Sequence, residues 1–317
     1  MIDRRKILIT ATAAFATAGG VAWAGPRAKA APPRDLTGVW TNAWYTKLQR
    51  PSAFKTLVVA PADAEAYEAP RRALHGEVVR KEDAVGQDES EFPDNGPGLA
   101  KVHGEIRSSW IVDPPDGKIP WTAAARERLH LDKRLPEDFD NVESRDTDER
   151  CLTTNSAGAP IINSHDANLI QIVQTRDHVA IVTEKNSEVR IVRLAAAPAA
   201  EPPTALGALY GVSVGWWEGR TLVVETTGLR PGLTKIADDL SLSDRARVTE
   251  RFTRTGAAEI SYLFEVDDPT LFTRPWRGEM VFRPAEGRMF EYACHEGNYS
   301  LPSILAAARQ GNQEPAR

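Results

Sequence analysis

The chain of 317 residues has only two cysteines, Cys151 and Cys294. No CxxC is present and neither thiol has a second one near it, which argues against a thiolate-bound metal and leaves one disulfide as the expectation. A Rossmann or P-loop glycine pattern, an HExxH pair and an internal repeat of fixed period are also missing. No organic cofactor and no metal are expected on that basis. Gly211-Val212-Ser213-Val214-Gly215 fits G-x-S-x-G in its letters. A strand pattern follows it, where a nucleophile elbow needs a helix, so a serine hydrolase is not expected.

Long apolar runs are absent beyond the first thirty residues. Within them, Asp3-Arg4-Arg5-Lys6 precedes a mostly apolar stretch from Ile7 to Val21, and Ala28-Lys29-Ala30 offers a small-residue cleavage site. This pattern reads as a signal peptide over 1–30, and the paired arginines suit the twin-arginine route to the periplasm. The apolar stretch is shorter than the ~20 residues that span a bilayer. No membrane association is expected after cleavage. Without the leader, 34 Lys and Arg face 43 Asp and Glu, a formal charge of −9. A surface of that sign repels phosphate backbones, which argues against nucleic-acid binding. Nothing in the composition sets an oligomeric state.

Helical periodicity is weak, and what remains is β pattern. Residues 31–140 are rich in proline and irregular. They read as a covering segment with a first strand at Leu36–Trp40 and short helices at Pro61–Tyr67 and Pro120–Leu129. Residues 137–150 hold seven acids and read as a solvated loop. Residues 141–309 read as an antiparallel β domain, with 310–317 a polar tail. Apolar, β-branched runs recur between turn signals at Asn168–Gln174, Val179–Glu184, Val189–Leu194, Gly207–Trp216, Thr221–Thr227, Arg247–Thr253, Ile260–Val266, Glu279–Arg283 and Met289–Ala293. Sequential strands joined by hairpin turns predict a mainly β fold: an antiparallel, lipocalin-like barrel or strongly bent sheet. A short helix at Pro302–Arg309 closes the chain.

Gly215-Trp216-Trp217-Glu218-Gly219-Arg220-Thr221-Leu222-Val223-Val224-Glu225-Thr226-Thr227-Gly228 is similar to a signature of a family of exported bacterial hypothetical proteins. Glu149-Arg150-Cys151-Leu152, Val248-Thr249-Glu250-Arg251-Phe252, Asp268-Pro269 with Thr273-Arg274-Pro275-Trp276, and Glu291-Tyr292-Ala293-Cys294-His295-Glu296-Gly297-Asn298 extend the resemblance over roughly 110–309. It implies export and carries no assigned chemistry. The chain departs from that pattern at Val212, where relatives carry Asp or His, and at Arg247, where they carry His.

Strand alternation supplies the candidate chemistry. In Arg247–Thr253, Val248, Glu250 and Phe252 share a face, and in Thr221–Thr227 Val223 and Glu225 do. A carboxylate among apolar neighbours has its ionisation disfavoured, which suits a general acid or base. The competing reading of Glu250 is an ion pair with an arginine on another strand, such as Arg190. His295 and Glu296 stand beside Cys294, where a disulfide would hold them rigidly, and His165 lies in a polar turn before a strand. His295, Glu296, Glu250, Glu225 and His165 are therefore the candidate catalytic set. Trp216 and Trp217 put one indole on each face of a strand and, with Arg251 and Tyr292, are the candidate ligand contacts.

The resulting expectation is a periplasmic, cofactor-independent acid–base enzyme of lyase, isomerase or hydratase type acting on a small hydrophobic molecule. A non-catalytic binding protein with the same cavity is the alternative. The leader generates the first test. Arg4→Lys with Arg5→Lys should leave full-length precursor in the cytoplasm, and an unchanged periplasmic yield on fractionation would overturn the twin-arginine assignment.

Overall fold

A computed structural model describes residues 34–43, 45–80, 98–132, 139–152, 158–162, 167–198, 210–232, 235–237 and 240–311. The leader lies outside the described residues. In chain order the elements are β1 (Gly38–Thr41), α1 (Pro61–Arg80), β2 (Lys101–Val102), β3 (Glu105–Ile106), β4 (Ile111–Asp113), α2 (Ala123–Asp132), β5 (Ile170–Gln174), β6 (His178–Thr183), β7 (Val189–Leu194), β8 (Val212–Glu218) and β9 (Thr221–Thr227). They continue with β10 (Lys235–Ala237), β11 (Leu240–Ser241), β12 (Arg247–Gly256), β13 (Glu259–Asp267), β14 (Trp276–Pro284), α3 (Cys294–Gly297) and α4 (Ser300–Gly311).

Nine strands close a barrel in the order β1-β5-β6-β7-β8-β9-β12-β13-β14, with β14 returning to β1 through Trp40↔Pro284 and Thr41↔Arg283. The mainly β expectation holds, with one correction. The barrel is mixed: β7 and β8 run parallel, pairing Val192 with Ser213 and Leu194 with Gly215. A parallel pair needs a connection long enough to return the chain to the starting end. Residues 195–211 supply that length, whereas the antiparallel pairs β5–β6, β6–β7, β8–β9 and β12–β13 have hairpin-sized turns.

Period-two alternation fills the interior. Val192, Leu222, Val224, Val248, Phe252, Tyr262, Phe264, Met280 and Phe282 are all buried in one hydrophobic cluster. Tyr262 is the hub of an aromatic group, with ring centroids 4.8 Å from Phe252, 5.5 Å from Phe264 and 5.2 Å from Phe282. Gly278 on β14 makes room for this packing, because a Cβ there would sit 2.2 Å from the Phe264 ring. Trp110, Ile119, Ala125 and Leu129 from the proline-rich segment join the same cluster, so that segment shares the barrel's core.

Several predicted boundaries move. α1 runs on through Pro70 to Arg80 instead of ending at Tyr67. α2 starts at Ala123, because the Thr122 hydroxyl accepts the Ala125 N–H at 3.1 Å and caps it. Met289–Ala293 is not a strand. β14 already pairs β13 on one edge and β1 and β4 on the other. The segment instead passes the β6–β7 turn, where Phe290 N–H donates to Glu184 Oε1 at 2.8 Å.

Cys151 and Cys294 are bonded, with Cα atoms 5.7 Å apart and a sequence separation of 143. Asn298 Nδ2 donates to the Glu149 carbonyl at 2.6 Å, and Arg309 Nε to that of Asp140 at 3.0 Å. These bonds hold α3 and α4, neither of which has a fully buried side chain. Constraining so long a loop in the unfolded chain stabilises by at most roughly 5 kcal/mol in the entropy model. Cys151→Ser with Cys294→Ser should therefore lower the urea midpoint by a corresponding amount, and an unchanged midpoint would refute that role.

Candidate functional site

Glu250 sits at the centre of the barrel and is 0% exposed. Arg190 reaches it from β7 with both terminal nitrogens: Nη2 donates to Oε1 at 2.8 Å and Nη1 donates to Oε2. The Tyr262 hydroxyl donates to Oε1 at 2.7 Å and accepts the Ile161 N–H at 2.8 Å. Arg190 Nη1 also reaches Thr226 Oγ1 at 3.4 Å, and that hydroxyl bonds Ser213 Oγ at 2.8 Å. Burial works against the Arg190 charge, yet Glu250 outweighs it and holds the guanidinium above its ordinary range. Burial, then the Glu250 charge, pushes the Tyr262 phenol up, so it stays a donor. Of the two readings of Glu250, the ion pair with Arg190 is the one found.

The remaining candidate catalytic residues are scattered. Glu225 points outward from β9 and pairs with Arg247 on β12. It does not face an apolar cavity, because β9 turns Leu222, Val224 and Thr226 inward. His295 and Glu296 are exposed on α3 while Glu250 is sealed, so the three do not share a pocket. His165 lies outside the described residues. Among the described residues no group of three His, Cys, Asp or Glu could hold a metal.

The candidate ligand contacts separate as well. Trp216 and Trp217 do take opposite faces of β8. Trp217 packs against the core with the Arg34 guanidinium 5.7 Å from its ring, and Trp216 Nε1 donates to Glu218 Oε1 at 3.0 Å. Arg251 binds the other Glu218 oxygen at 2.7 Å, which holds that carboxyl below its usual range, with a smaller contribution from Trp216. Tyr292 lies under the Lys185 ammonium, 4.8 Å from its ring centroid. Val212 pairs Thr227 on β9, and Arg247 on the next strand is bonded to Glu225.

The described clefts lie outside the barrel, on the two flanks of α1. Tyr45, Val59, Ala64 and Leu99 form a small second core that seats this helix. On one flank a cleft of about 810 Å³ opens between α1, the outer face of β1 and β14, and residues 98–106. Ala43, Ala64, Leu99, Ile106 and Val281 give it an apolar lining. Glu68 accepts the Leu99 N–H at 2.7 Å, and Arg72 bridges Glu68 and Glu65. Lys101 and Arg283 supply positive charge. Thr41 lines the same cleft, and its Oγ1 is buried with no hydrogen-bond partner among the described residues. On the opposite flank a cleft of about 570 Å³ is lined by Phe54, Lys55, Asp63, Tyr67 and Arg71. None of these residues was a candidate from the sequence. The Glu68–Arg72 and Tyr67–Arg71 pairs have helical spacing, a signal that a helix ending at Tyr67 leaves out. No family model, curated protein or solved structure matches the chain.

The sealed pair makes a sharp stability prediction. Glu250→Ala strands a buried guanidinium and should cost about 3–5 kcal/mol. Arg190→Met with Glu250→Leu removes both charges and should recover most of that loss in urea denaturation at neutral pH. An equal loss in the single and the double variant would refute charge balance as the cause.

Proposed function

We propose that this chain is an exported binding protein that takes a small amphipathic molecule in the cleft between α1 and the outer wall formed by β1 and β14. The carrying observation is the Thr41 hydroxyl, buried at a cleft with a largely apolar lining and without a hydrogen-bond partner among the described residues. A buried hydroxyl without a partner costs about 1–3 kcal/mol, and a ligand with one hydrogen-bonding end would repay it. The volume of about 810 Å³ falls within the range used for small organic ligands. The leader and the resemblance to exported proteins support the location.

The binding reading stands ahead of the acid–base enzyme for a structural reason. The enzyme reading required Glu250, His295 and Glu296 on one pocket. Glu250 is instead saturated by Arg190 and Tyr262, and the barrel interior around it is filled by aromatic side chains.

The test is a split between stability and affinity. Thr41→Val keeps the shape and removes the hydroxyl. It should raise the stability of the free protein by about 1 kcal/mol and weaken binding of a neutral amphiphile such as n-octanol about fivefold. Amide shifts on titration should fall at 41–43, 64–68 and 98–101. Shifts confined to other surfaces, or unchanged affinity in Thr41→Val, would overturn the proposal.

A further inference from the structure

We propose that the second cleft beside α1 is a binding site for small aromatic anions, such as an aromatic carboxylate. It is separate in place and chemistry from the amphipathic site. Its volume of about 570 Å³ suits a one- or two-ring molecule. Phe54 and Tyr67 form its aromatic wall, with ring centroids 4.7 Å apart and planes at 55°. The Arg71 guanidinium lies 3.7 Å from the Tyr67 ring centroid and donates to the Tyr67 carbonyl at 2.8 Å. That stacking fixes the fork next to the ring wall, where it can meet a carboxylate.

The charge pattern points the same way. Arg71 and Arg72 are neighbours in sequence with opposite fates. Arg72 is held by two carboxylates, Glu65 and Glu68. Arg71 makes no salt bridge among the described residues, and neither does Lys55 on the same cleft. Lys47 is near enough to Arg71 for the two cations to repel: partial burial first, then Arg71, holds its ammonium below the usual lysine range. Asp63 is the single acid among the described lining residues. A site that keeps cations together beside an aromatic wall favours a ligand bringing one negative charge and one flat apolar face.

The experiment is an NMR titration of the mature protein at low ionic strength with benzoate, benzylamine and acetate. Benzoate should shift the amides of 53–56 and 63–71, benzylamine should not, and acetate should bind about tenfold more weakly because it lacks the ring. Arg71→Gln should weaken benzoate about tenfold, and Lys55→Gln should weaken it by a smaller factor. Both side chains are exposed, so the variants should fold. Benzoate should also raise the titration midpoint of Lys47. In the same variants n-octanol affinity should stay at the parent value, so failure here is distinguishable from failure of the amphipathic site. Equal binding of benzoate and benzylamine, benzoate shifts confined to other surfaces, affinity undiminished in Arg71→Gln, or no response at tens of millimolar benzoate would each overturn the proposal.

Discussion

The bond between Arg190 and Glu250 sets the terms for the rest of the molecule. Two charges enclosed by a nine-stranded barrel are tolerable only when most of their lone pairs and protons have partners. Tyr262 and Thr226 supply further partners, leaving Arg190 Nε with none among the described residues, and both come from strands whose register is fixed. Tyr262 is also the hub of the interior aromatic cluster, so one phenol serves the polar network and the apolar packing together. A one-residue slip of β13 would turn Tyr262 outward and leave Glu250 short of a donor. The network therefore selects one register among strands that alternate regularly enough to slide.

Closure of the barrel has a second consequence. With β1 and β4 sharing the far edge of β14, that strand has no edge left to receive another. The β-rich stretch before Cys294 must satisfy its backbone elsewhere, and it does so on side chains of the β6–β7 turn. The C-terminal helices follow it outside the barrel with little buried surface, which is why a covalent link and a few backbone-directed bonds hold them.

The hairpin strands were legible in the sequence because alternation and short turns are local. Val189–Leu194 and Thr221–Thr227 were bounded correctly by pattern alone. The direction of β8 was not legible, because it depends on where a long connection returns. The inward face of β12 was readable from Val248, Glu250 and Phe252, and Arg190 was among the partners considered for Glu250. Whether that carboxylate was open or sealed was not readable, because it depends on two partners from distant parts of the chain. The clefts were hidden for a different reason. The pattern ends this helix at Tyr67, whereas α1 runs on through Pro70, and the lining residues share a flank only in the longer helix.

These features together explain where binding chemistry is available. A barrel packed with Tyr262, Phe252, Phe264 and Phe282 around a sealed ion pair has little interior to offer a ligand. Its outer wall is where α1 packs. α1 is seated on that wall by a core of only a few side chains and is too narrow to cover it. Each flank of the helix therefore leaves a concave strip. The residues there divide by charge: Arg72 is neutralised by two glutamates on one side, and Arg71 is left facing Lys55 and an aromatic pair on the other. The helix thus separates a hydroxyl-marked cleft, whose arginine is held by two carboxylates, from an aromatic one, whose arginine makes no salt bridge among the described residues, and one turn of its sequence carries both arginines.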